Sequence, residues 1–158
     1  MHICFVCTGN ICRSPMAALV FTEHLRRADL ADKVRVSSAG IGPWHAGQPA
    51  DRRAAKTLAD HGYPTEHRAA QVDEDHLSAD LLLAMDSGHD EALRDLLDHQ
   101  GGDVERVRMF RSFDPAAGKD LNVPDPYYGH RDGFAEVMEM IEAACPALLT
   151  WVRERVTP

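Results

Sequence analysis

Ile3-Cys4-Phe5-Val6-Cys7-Thr8-Gly9-Asn10-Ile11-Cys12-Arg13-Ser14-Pro15 is the stretch that decides the fold. Its first four residues are an unbroken apolar run, too short for a helix and suited to a strand buried on both faces. The run stops at Cys7 and the chain turns. Gly9 and Asn10 are the residue types that most readily take positive φ, and Ser14-Pro15 reads as a helix N-cap followed by a proline at the first helical position. Strand, tight loop and helix in that order make an anion site. Successive loop N–H groups point inward as a nest, and the helix adds the positive end of its dipole. The loop from Thr8 through Gly9, Asn10, Ile11 and Cys12 to Arg13 is therefore predicted to hold a phosphate-like dianion.

Two side chains separate this loop from an ordinary phosphate cradle. A thiol at Cys7 lies at the helix N-terminus beside a cation, a setting that stabilises thiolate and so makes a nucleophile. Arg13, six positions on, offers a guanidinium fork for two phosphoryl oxygens and for the charge that develops as a phosphoryl group transfers. Cys4-x-x-Cys7 is not read as a metal or thioredoxin motif, since strand positions three apart face opposite sides. Cys4 and Cys145 are predicted to be buried apolar fillers.

Outward from the loop, Ala18, Phe21, Leu25 and Ala28 recur at helical spacing and predict an amphipathic helix over 14–28. A strand follows at 34–38, then an irregular Gly- and Pro-rich loop over 39–49 that carries Trp44. A helix over about 50–61 ends at Gly62. A second buried run at 79–85 leads into a helix to about 99, with Ser87-x-x-Asp90 read as its capping box. A strand at 104–110 precedes a long loop over 111–129. Phe134, Val137, Met138, Ile141, Cys145, Leu148 and Val152 form an apolar stripe over 132–156 that Pro146 would kink or split. Strands alternating with helices predict a single α/β domain over 1–158: a doubly wound, four-stranded parallel sheet with helices on both faces and its site at strand C-terminal ends.

Composition bounds the rest. At 158 residues and 44% hydrophobic the chain suits one core without disulfides or metal. The net charge is −8, and residues 73–105 hold eleven Asp or Glu against the single Arg94, which argues against nucleic acid and anionic membranes as partners. A solvated face explains that acidic stretch. With no leader and no long apolar run, a cytoplasmic protein without membrane insertion is expected, export by a leaderless route being left open.

Cys7-Thr8-Gly9-Asn10-Ile11-Cys12-Arg13-Ser14-Pro15-Met16-Ala17 resembles the phosphate loop of the low-molecular-weight protein tyrosine phosphatases. Ser38-Ala39-Gly40, Trp44, His61-Gly62-Tyr63 to His67-Arg68-Ala69, Ala84-Met85-Asp86, Phe113-Asp114-Pro115 and Asp125-Pro126-Tyr127-Tyr128-Gly129 resemble family stretches in family order, in the actinobacterial manner. The resemblance implies a cofactor-free hydrolase of phosphotyrosine in proteins that works through a phosphocysteine. Its partners would be tyrosine-phosphorylated proteins and a cognate tyrosine kinase. It also implies a supporting network of Asn10, Ser14, Ser38 and His67, although Ser14 as a plain N-cap and His67 as a surface residue stay open. Cys12, curled back towards Cys7, would form a protective Cys7–Cys12 disulfide on the family pattern, or else merely pack the loop.

Expelling a phenolate needs a proton donor opposite Cys7, and two Asp-Pro pairs compete. Asp114 suits a turn-initiating Asx residue. Asp125, stiffened between Pro124 and Pro126 and followed by two tyrosines, is the predicted general acid, in agreement with the family motif, from which Pro124 departs where an acidic residue is expected. Ile11, Trp44, Tyr127 and Tyr128 would wall a pocket deep enough for an aryl phosphate. Three rivals remain. Arsenate reduction lacks its relay cysteines, phosphoarginine hydrolysis resembles members with Thr in place of Ile11, and a phosphate binder leaves the concurrence of Cys7, Arg13 and Asp125 unexplained.

Overall fold

Strand β1 (His2–Cys7) is buried along its whole length, as a run without polar alternation requires. Its side chains divide between two cores: Ile3, Phe5 and Cys7 face one, Cys4 and Val6 the other. Cys4 and Cys7 thus lie on opposite faces of the sheet. In the computed structural model, which describes residues 1–129 and 132–157, β1 leads through α1 (Arg13–Arg27) to β2 (Arg35–Gly40), α2 (Arg52–Asp60) and the single-turn α3 (Glu74–Leu77). Then come β3 (Leu81–Ala84), α4 (Ser87–Gln100), β4 (Val107–Met109) and α5 (Asp132–Val156).

The four strands are all parallel, in the order β2-β1-β3-β4, with Cys7 opposite Gly40 and Val6 opposite Ala84. Helices α1, α2 and α5 cover the Phe5 face, and α3 and α4 cover the Cys4 face. The Phe5 ring meets Phe21 and Phe110 edge-on, with centroids 6.0 and 5.3 Å away. Each such ring contributes about 1.5–3 kcal/mol by leaving water. Because β2 and β3 lie on opposite sides of β1, the connections after β1 and β3 diverge. That opens a crevice at the sheet's C-terminal edge, the switch point where such folds place their ligands. Cys7 ends β1 at that point.

Five local features depart from expectation. Helix α1 starts at Arg13 with Cys12 at its N-cap and no side-chain cap bond, so Ser14 and Pro15 lie inside the first turn and the Ser14 hydroxyl is spent elsewhere. The cap of α4 is Asp86, not Ser87. Its carboxylate accepts the His89 N–H at 3.0 Å while its own N–H donates to His89 Nδ1 at 3.2 Å, so an imidazole performs the reciprocal role usually given to Glu or Gln. Asp73 and His76 repeat the device at α3, an element absent from the sequence reading. Strand β4 keeps only three residues between 3₁₀ turns at Val104–Arg106 and Phe110–Phe113, because it is an edge strand paired with β3 alone. Helix α5 runs through Pro146 unsplit. The lost hydrogen bond is offset by Cys145, Leu148 and Val152, which are fully buried in the core on the Phe5 side.

Candidate active site

The loop between β1 and α1 is shaped by Asn10, the one residue in it with positive φ, at 60°. Gly9 does not use its freedom of φ, contrary to the expectation. A Cβ there would lie 2.7 Å from Cδ2 of His45, so that side chain would have to move aside. Gly40 of β2 is more constrained, since its Cβ would press on the Thr8 carbonyl oxygen at 2.8 Å and on the Gly9 backbone at 2.9 Å. The loop therefore needs glycine beneath it, where the obstacle is backbone.

Asn10 is fully buried and fully bonded. Its Nδ2 donates to Ser14 Oγ at 2.7 Å and Ser38 Oγ at 2.9 Å, and its Oδ1 accepts the Ala70 N–H at 2.9 Å. His67 Nε2 donates to the Asn10 carbonyl at 2.6 Å. Burial draws the His67 pKa down, with the Asn10 bond opposing, so the ring is a neutral donor. Asn10, Ser14, Ser38 and His67 are thus joined by hydrogen bonds in one network. Since Nδ2 is only a donor, Ser14 Oγ accepts from it and has its own proton to give to Cys7 Sγ, 2.9 Å away. The Asn10 N–H approaches the same sulfur at 3.3 Å.

Arg13 is 3% exposed and held from three directions. Its Nη1 donates to Asp86 Oδ2 at 2.8 Å and to the Val123 carbonyl at 3.0 Å, and its Nη2 donates to Thr8 Oγ1 at 3.2 Å. Burial pushes the Asp86 pKa up, but the His89 N–H, His89 and Arg13 outweigh it and leave a net lowering, which keeps the carboxylate charged. Asp125 Oδ2 lies 3.6 Å from Arg13 Nη2. Its Oδ1 accepts the Tyr127 N–H at 3.0 Å and caps the 3₁₀ turn Pro126–Tyr128. Asp114 instead accepts the Ala116 N–H at 2.9 Å, the Asx role read from the sequence.

These groups meet in a cleft of about 400 Å³ whose loop side is Cys7, Thr8, Gly9, Ile11, Cys12 and Arg13. Trp44, His45, Tyr127 and Tyr128 form the rest of the lining with Asp125. Trp44 and Tyr128 are 66% and 86% exposed, an open aromatic rim rather than a closed slot. Cys4, Cys7, Cys12 and Cys145 are all free thiols. Burial, then Asp51, pushes the Cys12 thiol up to about 12, and burial pushes Cys4 up to about 12 and Cys145 higher still. The sequence reading missed His45, Asp86, His89 and the Val123 carbonyl. A backbone carbonyl leaves no sequence signal, but Asp-x-x-His directly after a buried strand does, once His is admitted as a capping partner.

Residues 2–157 match the family model described as low molecular weight phosphotyrosine protein phosphatase. The low molecular weight protein-tyrosine phosphatase A of Mycobacterium tuberculosis is 56% identical over 157 residues, covering 99% of this chain and 94% of that one. A crystal structure of a protein tyrosine phosphatase from Entamoeba histolytica superposes with a TM-score of 0.90 at 34% identity, covering 98% of this chain and 97% of the other. A structure described as the drosophila arginine phosphatase gives 0.89 at 26% identity, covering 97% and 98%.

Proposed function

The chain belongs to the low molecular weight phosphotyrosine protein phosphatase family, and from that premise we propose that Cys7, Arg13 and Asp125 carry phosphotyrosine hydrolysis in two displacements at phosphorus. The observation that supports this best is the meeting of three groups in one cleft: a Cys7 sulfur approached by a hydroxyl and an amide, an anchored Arg13, and Asp125 3.6 Å from that guanidinium. In the first step Cys7 Sγ attacks phosphorus. The S–P bond forms, the P–O bond to the tyrosine ring breaks, and Asp125 gives its proton to the departing phenolate. In the second step Asp125 takes a proton from water, which attacks phosphorus and expels the Cys7 thiolate. Arg13 and the loop N–H groups from Thr8 to Arg13 hold the phosphoryl oxygens throughout.

Ile11, Trp44, Tyr127 and Tyr128 receive the phenyl ring, and the lining by Ile11 supports an aryl over a guanidino substrate. The partners are tyrosine-phosphorylated proteins and a cognate tyrosine kinase, in the cytoplasm. The charge of −8 supports a reading without nucleic acid, and no described helix is long and apolar enough to cross a membrane. Cys12 serves as the resolving thiol when Cys7 is oxidised. The test is hydrolysis of phosphotyrosine, phosphoserine and phosphoarginine peptides with chelator and with vanadate. Chelator-resistant, vanadate-sensitive turnover of phosphotyrosine alone is the expected result. Preferential turnover of phosphoarginine would transfer the site to that substrate, and no turnover at all would leave a phosphate binder.

A further inference from the structure

We propose that His89 is a positioning residue that acts through Thr8, aiming the Thr8 hydroxyl proton into the phosphate cradle and fixing the face that Arg13 presents to the substrate. The proposal rests on the cradle reading above. Its starting point is a backbone amide. The Asp86 N–H is only a donor and bonds to His89 Nδ1 at 3.2 Å; Asp86 Oδ1 is as near to that nitrogen but makes no hydrogen bond with it, taking the His89 backbone N–H instead, so Nδ1 accepts and a neutral ring carries its proton on Nε2. Nε2 is 2.8 Å from Thr8 Oγ1, so the ring donates to the hydroxyl. Arg13 Nη2, also only a donor, gives the same oxygen a second hydrogen bond at 3.2 Å. With both lone pairs engaged, Thr8 Oγ1 has one thing left to offer, its own proton. Thr8 is exposed to the cleft beside Cys7, where the ligand is a multiply charged acceptor.

The circuit closes through Asp86. One carboxylate oxygen takes Arg13 Nη1 at 2.8 Å, and the other takes the His89 N–H at 3.0 Å. Nη1 is also bonded to the Val123 carbonyl, so its two N–H groups are used, and Nε with the remaining N–H of Nη2 form the fork available to phosphoryl oxygens. A histidine needed only to cap α4 would use Nδ1 and its backbone N–H, with no reason to place Nε2 against the loop after β1. His89 is 5% exposed, and burial, opposed by Asp86 and reinforced by Arg13, draws its pKa down to about 4, so the ring stays neutral across the working range.

The test combines a tautomer measurement on the unaltered protein with a double-substitution cycle on the folded variants. Nitrogen-15 NMR of His89 is expected to show the Nε2–H tautomer. Thr8→Val is expected to weaken inorganic phosphate binding about tenfold, the usual effect of losing one hydrogen bond to a charged group. His89→Asn keeps a side-chain oxygen for the Asp86 N–H but ends short of Thr8. It is expected to weaken phosphate binding several-fold in the parent and to add nothing in the Thr8→Val background. His89→Gln, with an amide N–H near the position of Nε2, is expected to recover part of the loss. An Nδ1–H tautomer, parental phosphate affinity in Thr8→Val, or an equal loss from His89→Asn in both backgrounds would overturn this inference alone. Failure of the parent protein to bind phosphate would overturn the cradle reading with it.

Discussion

Asp125 Oδ2 stands 3.6 Å from Arg13 Nη2 while Oδ1 of the same carboxylate caps the turn that carries Tyr127 and Tyr128. One oxygen fixes the loop and the other faces the Arg13 guanidinium. Asp125→Ala is therefore expected to lower kcat for phosphotyrosine about 10²- to 10⁴-fold, and less for aryl phosphates with more acidic phenols, since those leave without a proton. Asp125→Asn retains an oxygen for the Tyr127 N–H and should lose the same activity with the turn intact. Near-parental rates in Asp125→Ala alongside a crippled Asp114→Ala would assign the acid to the other Asp-Pro pair.

Cys7→Ser should abolish turnover and leave vanadate or phosphate binding, because the N–H nest remains after the nucleophile is gone. Arg13→Lys should be nearly as damaging, since a point charge cannot replace the bonds to Asp86, Val123 and Thr8 and still present a fork. Steady-state rates above a few per cent of the parent in Cys7→Ser would remove it as nucleophile.

Peroxide should inactivate the parent reversibly and Cys12→Ser irreversibly. A sulfenic acid on Cys7 is rescued only if a second thiol condenses with it, forming the S–S bond and releasing water. Burial holds Cys12 protonated, with its thiol pushed up to about 12, so closure should be slow and should accelerate with rising pH. Equal recovery of both proteins with added thiol would return Cys12 to a packing role.

Arg53 ties the turn that follows Asp125 to the loop after β1. Its guanidinium donates to the Tyr127 carbonyl at 3.2 Å, lies 5.3 and 4.9 Å from the Tyr127 and Phe134 ring centroids, and pairs with Asp51, whose N–H donates to the Ile11 carbonyl at 2.9 Å. Arg53→Ala should cost about tenfold in kcat for phosphotyrosine through misplacement of Asp125, with a smaller loss on activated aryl phosphates. A uniform loss across leaving groups would mean that it acts on the phosphate loop instead.

Stability should fall as pH drops from about 6.5 to about 4, in part through His89. Its folded pKa, about 4, lies below the 6.5 of an exposed histidine, so in that window the unfolded chain binds a proton that the folded chain refuses. The stabilisation is complete above 6.5 and gone below 4. Urea midpoints of the parent and His89→Asn, compared at steps between pH 7 and 4, should converge as pH falls. Parallel curves would show that His89 titrates alike in both states.

The sequence by itself determined the parallel α/β order, through strands and helices alternating along the whole chain, and the strand-loop-helix turn that brings Cys7 and Arg13 together, through spacing within one short segment. Hydrophobic runs without alternation give buried strands, and Pro on either side of Asp125 excludes helix and strand alike. Tertiary structure alone decided what holds those groups in place. Asp86 and His89 come from beyond β3, the Val123 carbonyl from the loop after β4, Ser38 from β2 and His67 from the chain between α2 and α3, all of them reaching the first loop across 28 or more residues of sequence. Buried polar atoms must find partners wherever the packed chain brings them, and no local pattern records which they will be. For the same reason Ser14, read as a helix cap, instead shares a hydrogen bond with Cys7 Sγ: the fold sets it inside the first turn of α1, where its hydroxyl faces the buried sulfur and not an orphan N–H.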